Sequence, residues 1–543
     1  MFSTLSLVFL ISAISYVLWR IVRRCVVKSP LDNIGGPPSR SVWRGNMPQL
    51  FGRHGWQFQD EIDKAGRPIA RITGMFNKPA LYVFDPKALQ HIIVKDQNVF
   101  QRAPWNVALL GLTLGRGLLG TTGETHRKQR KMLVSVFSVN HMRQLTPIFY
   151  ETAHRLRKVI SAQLEGGNYR EIDMLEWMGR TTLELIGQGG LGYSFDPLIA
   201  DTHNVFEETL KEFSLALGRC LDYRMLADHH TKFGPASLGR MIVNFVPDPN
   251  LQELKHIVDV MDLRSKEIIE GKRAALRAGD EDIKQQVEER SNIIGTLLSA
   301  NISTSPEDKL SEEELIGQMT TLIFAASDTT SNALSRTLDL LTKYPHVQDR
   351  LRAEVLEAGQ GQDIPYDKLV ALPYLDAVCR ETLRLYPPVQ YVAREPQEDI
   401  ILPLSEPVKG IDGTMMTEVF VPKGTTIIVG MRSCNRNKRI WGEDVLEWKP
   451  ERWLDSVPSA VKEAKIPGVY ANLMTFLGGS NSCIGYKFSQ LEMKVVLAVL
   501  ISAVKFASTG KEVYWNTGSV SYPTIGQQSR KACIPLRVQL LSG

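Results

Sequence analysis

The sequence predicts a mainly α protein with a small β region (α+β), preceded by one N-terminal transmembrane helix. Three observations carry this. Apolar residues recur at helical spacing over residues 251–278, 311–343 and 486–504. Two short β-type runs, 69–73 and 80–84, flank the turn Asn77-Lys78-Pro79, which places the sheet toward the N-terminal side. Residues 2–19 are uncharged and mostly apolar. At 543 residues the chain is large enough to bury a cofactor completely. Its 64 basic and 59 acidic residues leave a net charge of +5, which excludes a nucleic-acid footprint. The six cysteines are scattered without a CxxC pair, as in a reducing compartment, which argues against a disulfide scaffold or a zinc site.

From the N-terminus, residues 2–19 as helix would span roughly 27 Å, enough for a bilayer. A cleaved leader normally carries positive charge before its apolar run. Here the charges Arg20, Arg23, Arg24 and Lys28 follow it, so an uncleaved anchor is expected, with the rest of the chain cytoplasmic. The expected organisation is an anchor at 1–22, a basic and Gly-Pro linker at 23–40, and a catalytic domain at 41–543. Residues 56–65 and 86–95 read as helices around the strand pair. Residues 101–123 read as a long irregular stretch, apolar enough (Trp105, Leu109, Leu110) to cover something.

The next helix opens with a basic cluster in which His126 and Arg130 are four residues apart and share a face. Such a pair suits an anionic ligand or a solvated face equally. Gly187-Gln-Gly189-Gly-Leu-Gly192 matches GxGxxG but follows a helical pattern rather than a strand, so it reads as a decoy. Residues 202–226 and 251–278 are helical by pattern, and 279–290 is a charged, exposed stretch. Ser311-Glu-Glu-Glu314 is a capping box starting a helix that ends at Lys343, before Tyr344-Pro345. Mid-helix stands Ala325-Ala-Ser-Asp328-Thr329-Thr330. Small residues leave room for a ligand, and the acid and hydroxyl can relay a proton; the plainer reading is a polar cluster that kinks the helix. A helix over 369–385 carries Glu381 and Arg384, an ion pair of a kind common on surfaces, with Arg452 a further candidate partner. Tyr386-Pro-Pro388 ends it, and 389–394 turns strand-like.

Phe476-Leu-Gly-Gly479-Ser-Asn-Ser-Cys483-Ile-Gly485 sets one cysteine in a glycine-rich loop just before the helix at 486–504. A lone cysteine there is more often a small packed residue. A cysteine at a helix start also meets free N–H groups and the positive end of the dipole, which favour thiolate, and the glycines allow something flat to lie close. A thiolate so presented is a good axial ligand for haem iron.

Taken together, the Ala325–Thr330 motif, Glu381-x-x-Arg384, Pro450-Glu-Arg452-Trp453 and the cysteine loop resemble a cytochrome P450, a haem-thiolate monooxygenase, over nearly the whole chain. The basic helix start and the anchor resemble fungal microsomal members. The resemblance implies haem b, with Cys483 as iron ligand and Glu381, Arg384 and Arg452 as a structural triad. It implies Asp328 and Thr329 as proton donors to the oxygen site, and His126, Arg130 and Arg394 at the propionates. Ala325, Phe476, Gly479 and Gly485 would lie against the haem. It further implies insertion of one oxygen atom from O2 into a C–H bond of a lipophilic small molecule, a terpenoid or other secondary metabolite. Trp105, Leu110, Phe324, Val389 and Val392 would line the pocket. Electrons would come from NADPH through a diflavin cytochrome P450 reductase at the endoplasmic reticulum membrane. One departure stands out: Asn481 replaces an arginine usual two residues before the cysteine. The rivals are a haem-thiolate isomerase or dehydratase, and a non-enzymatic haem-binding membrane protein.

Overall fold

The computed structural model describes residues 29–541 apart from 165–168, 199–204, 231–235, 289–291, 304–308 and 456; of the first 28 it describes only Ile11, Ser12, Ser15 and Trp19. The expected anchor therefore lies almost wholly outside the described residues. Among those, no helix is long and apolar enough to cross a membrane.

The stretch expected as a linker belongs to the globule from Ser29 onward. Ser29 caps a short turn, Pro30–Asn33, in a reciprocal capping box with Asp32. Leu31 and Ile34 are buried in the core. Gly36 lies so close to β1 (Ile69–Thr73) that a Cβ would sit 1.8 Å from the Arg71 carbonyl oxygen. The two glycines thus dock the chain rather than loosen it.

After helix α1 (Gly55–Lys64), β1 pairs antiparallel with β2 (Pro79–Val83) in the predicted hairpin. The expected 86–95 helix is an α turn, Pro86–Gln90, running into a π turn, His91–Lys95. The 101–123 stretch is irregular only in part, over 115–122. Phe100–Arg102 is strand β3, and Pro104–Leu114 is helix α2, with proline in its first turn and Gly115 at its end with φ of 78°. Its sequence is apolar on every side, so no polar face betrays the helical period. Glycine contact then docks it: a Cβ on Gly117 would lie 2.2 Å from the Gly317 carbonyl oxygen.

Helix α3 (Gly123–Leu133) carries the basic cluster. Beyond β4 (Arg170–Asp173), helix α4 (Met174–Leu185) runs into a π turn, Ile186–Leu191, at the GxGxxG match. A helix rather than a strand leads directly into those glycines, so the motif lacks the strand-turn-helix context of a dinucleotide site. The expected 202–226 helix is broken into α5 (Val205–Arg219) and α6 (Leu221–His230), ahead of α7 (Pro249–Arg277). The central helix α8 (Glu312–Lys343) starts at the Ser311–Glu314 capping box as expected and is buried along most of its length. The 369–385 helix is two pieces, Tyr366–Ala371 and α9 (Pro373–Leu385), because Pro373 forces a new start.

Strands β5 (Tyr391–Pro396), β6 (Ile400–Lys409), β7 (Met415–Val421) and β8 (Thr426–Gly430) follow. The five-stranded sheet runs β1-β2-β8-β5-β3, so its N-terminal strands are completed by two from the distant C-terminal half. Helix α10 (Met431–Asn435) leads toward the cysteine loop, and α11 (Tyr486–Ala503) leaves it. Small sheets formed by β9 (Val504–Ser508), β10 (Val513–Asn516), β11 (Tyr522–Ile525) and β12 (Pro535–Leu540) close the chain. Two apolar cores result, one among the helices and one under the large sheet.

Candidate active site

Cys483 stands three residues before α11, with its N–H donating to the Phe476 carbonyl at 2.9 Å, which closes the loop. Its side chain is solvent-accessible. Burial in the surrounding protein still pushes the thiol up, opposed by the Gly485 N–H and the nearby Arg130 guanidinium. The helix-start effect expected from sequence is present but does not outweigh desolvation. A cation bound at the sulfur would. Gly479 has φ of 64°, and a Cβ there would lie 2.1 Å from the Ile93 carbonyl oxygen. Its glycine is thus required by the approach of the π turn His91–Lys95. Gly485 has only the Phe137 ring near its missing Cβ, at 3.6 Å, and Phe476 is half-buried beside Tyr470 and Tyr486.

The loop is clamped from behind. Glu381 and Arg384 are fully buried and pair through two 2.8 Å hydrogen bonds. The surface-type pair suggested by spacing is instead an interior one. Arg452 donates to Glu381 at 3.4 Å and to Asp444 at 2.8 Å, while the Trp453 indole N–H donates to Glu381 at 2.9 Å. Arg384 also donates to the carbonyls of Asn435 and Val445. Asn435 in turn accepts from the Met474 N–H at 2.7 Å and donates to Thr475 at 2.8 Å, directly ahead of Phe476. The triad therefore fixes the entry to the cysteine loop through one asparagine.

Facing the loop's helix is α8. Thr330 donates to Ser489 of α11 at 3.1 Å, tying the two together. Within this otherwise buried stretch, Ala325, Ala326 and Thr329 are only partly covered and form one accessible face. The Thr329 hydroxyl donates back to the Ala325 carbonyl at 2.7 Å. Asp328 is buried and accepts from Ser214 of α5 at 2.6 Å and from Asn332 at 3.0 Å. Burial raises its carboxyl to about 6, although Ser214, Lys211 and Asn332 pull the other way. A carboxyl poised near neutrality beside a hydroxyl can pass protons in either direction.

His126 and Arg394 are buried and Arg130 is half-buried. They are joined by a residue the sequence reading missed. Arg102 is the cross-strand partner of Arg394 in the β3–β5 register. Burial and the charges of Arg102 and Arg130 lower His126 to about 4, so it is neutral; burial and Arg102 lower Arg394 to about 9. Among the described residues no carboxylate pairs with Arg102, Arg130 or Arg394. Arg102 donates to the carbonyls of Leu118, Leu119 and Thr121, and Arg130 donates to the carbonyl and hydroxyl of Ser482. An uncompensated buried cation group of this kind calls for an anionic group, as haem propionates would supply. With the accessible thiol of Cys483 beside Ser482, the donor set fits a haem. Asn481 makes only a 3.4 Å contact to Ser480, whereas Arg102 supplies an additional cation to the cluster.

The residues expected to line a pocket divide between the two cores. Trp105 and Val392 pack on the sheet-side core, Leu110 and Phe324 belong to the helical one, and Val389 is half-buried after the Pro388 turn. Phe213 of α5 meets Phe324 edge-on at 4.6 Å and was not anticipated.

The family model for cytochrome P450 matches residues 35–519. A cytochrome P450 monooxygenase of Postia placenta is 50% identical over 531 residues, 97% of each chain, and a second from that fungus is 49% identical over 524, 96% of each. A ganoderic acid synthetase of Ganoderma lucidum is 44% identical over 541 residues, 98% of each chain.

Proposed function

The chain belongs to the cytochrome P450 family and is a haem b monooxygenase, and from that premise we propose that it oxidises a lipophilic terpenoid or similar secondary metabolite with Asp328 and Thr329 as its proton path. The observation that carries this is the accessible Ala325–Thr329 face on α8, backed by a buried acid and tied to the helix that follows Cys483. When bound, the haem supplies iron that activates O2 for insertion of one oxygen atom into a C–H bond, the other leaving as water.

The chain's residues do the rest. Cys483 would hold the iron; Arg102, His126, Arg130 and Arg394 would take the propionates; Glu381, Arg384 and Arg452 keep the loop in place. Ser214 and Asn332 hold the Asp328 carboxyl; in this reading it would pass protons on to the Thr329 hydroxyl, which rests on the Ala325 carbonyl. The apolar residues Trp105, Leu110, Phe324, Val389 and Val392 bind substrate and exclude water. The terpenoid reading draws on the ganoderic acid synthetase relative and on this apolar lining. Residues 1–22 would anchor the protein in the endoplasmic reticulum membrane with the domain cytoplasmic, accepting electrons from an NADPH–cytochrome P450 reductase.

A reduced, CO-bound spectrum tests the ligation; absence of the thiolate-type Soret band would sink it. With reductase present, Thr329→Ala is expected to keep consuming NADPH and O2 while product falls about 10-fold or more, the size of a lost proton-transfer step. Unchanged coupling would remove Thr329 from the path. A haem-thiolate isomerase or dehydratase would convert substrate without consuming either.

A further inference from the structure

Arg224 on α6 is 6% exposed, yet among the described residues its guanidinium forms no ion pair, and its Nε has no hydrogen-bond partner. The Phe51 ring lies beside it, with the guanidinium carbon 5.3 Å from the centroid, and the Tyr391 hydroxyl and Cys220 thiol are near enough to act on its charge. Two further polar groups crowd the same ring. Trp105 meets Phe51 edge-on at 6.0 Å and Tyr391 at 5.2 Å. The Trp105 indole N–H and the Tyr391 hydroxyl are likewise buried without partners.

All three groups can donate hydrogen bonds, and two of them, guanidinium and indole, can only donate. Burial pushes the Tyr391 hydroxyl up to about 12, so it too keeps its proton. Leaving a buried guanidinium without an anion is costly, and a cation–π contact does not satisfy its N–H groups. The three donors come from α6, α2 and β5, segments far apart in sequence. Local chain geometry therefore does not account for their meeting.

Trp105 follows Arg102 by three residues, in the first turn of α2, so the triple lies near the cation cluster along the chain. Tyr391 precedes Arg394 by three on β5, about 10 Å along the strand and on the opposite face of the sheet. Val392 and Leu221 pack against the same core as Trp105 and Tyr391.

We propose that Arg224, Trp105 and Tyr391 form a subsite for the carboxylate of a lipophilic acid, so that the substrate class includes molecules with an apolar body and one acidic end. This rests on the monooxygenase reading, and names the substrate chemistry within it. Three donors gathered around one ring would match the two oxygens of a carboxylate, with the guanidinium providing the charge. The aromatic rings around it accommodate the apolar carbon next to the acid.

The test uses the full-length, haem-loaded protein with a matched set: abietic acid, its methyl ester and the corresponding alcohol. Binding is read by the Soret spin-state shift and, independently of haem, by equilibrium dialysis. The acid is expected to bind at least about 10-fold tighter than the ester, and Arg224→Gln to weaken the acid about 10- to 100-fold while leaving the ester within about 2-fold. Arg224→Lys, which keeps the charge, should retain part of the preference. Equal affinity of acid and ester for the native protein, or an acid preference that survives Arg224→Gln, overturns the subsite. A reduced CO-bound spectrum taken on every variant keeps the outcomes apart. A missing thiolate band refutes the monooxygenase reading, whereas dialysis still reports on the acid.

Discussion

In the proposed proton path, Asp328 would trade stability for chemistry. Its native pKa of about 6 lies above the ordinary 3.8, with desolvation the first cause. Between those values the folded chain binds more protons than the unfolded one. Stability from this group is therefore greatest below about pH 4 and declines as pH rises toward 6. Above pH 6 the full penalty applies, about 3 kcal/mol for a shift of roughly two units. Asp328→Asn removes that penalty but replaces one acceptor with an amide donor, which costs about 1 kcal/mol at Ser214 or Asn332. The variant is expected to melt higher than the native protein at pH 7.5, to lose that advantage near pH 4, and to be defective in coupled turnover. Thermal melts at the two pH values decide it; no gain at pH 7.5 would mean that the acid is not held against desolvation.

What the sequence discloses at this scale depends on how far apart partners lie. Cys483 was readable because its loop is contiguous. Asp328 was readable as an oddity inside an apolar helix, but its partner Ser214 is 114 residues away and carries no local signature. Arg102 escaped for the same reason: only the β3–β5 pairing brings it to Arg394.

At the scale of elements, the clamp behind the cysteine loop is the decisive assembly. Glu381, itself fully buried, accepts from Arg384, Arg452, Trp453 and the Lys449 N–H. Removing the acid leaves Arg384 buried beside carbonyls alone. Glu381→Ala should therefore cost about 3–5 kcal/mol. Because Arg384 also holds Asn435, and Asn435 holds Met474 and Thr475, the loss should reach the cysteine loop. The expected result is protein recovered with haem-to-protein ratio well below that of the native chain; full haem occupancy and an unchanged melt would show that the clamp is dispensable. Spacing alone could not reveal this strength, since an i,i+3 Glu–Arg pair looks the same on a surface. Helix α2 gave the opposite difficulty: its proline and glycine end signals were present, but a helix apolar on all sides has no period to detect.

Across the whole molecule, the boundary between the leading segment and the globule falls earlier than composition suggests. Two glycines and two prolines look like a hinge, yet Leu31 and Ile34 are buried and Asn33 receives the Ile411 N–H at 2.8 Å and the Asp412 N–H at 3.0 Å. A chain starting at Ser29 should thus keep the full domain, whereas one starting at Ile34 loses a buried leucine and the Asn33 contacts. Truncating a buried leucine alone costs about 2–5 kcal/mol, so the shorter form should melt several degrees lower and lose its CO-bound thiolate band sooner on heating. The Ser29 form also isolates the proposed anchor. Its spectrum should match that of the full chain, while carbonate washing should release it from membranes that retain the full chain. If both truncations melt alike, residues 29–33 add nothing to the fold. If the Ser29 form stays in the membrane pellet, attachment resides in the globule rather than in the apolar leader.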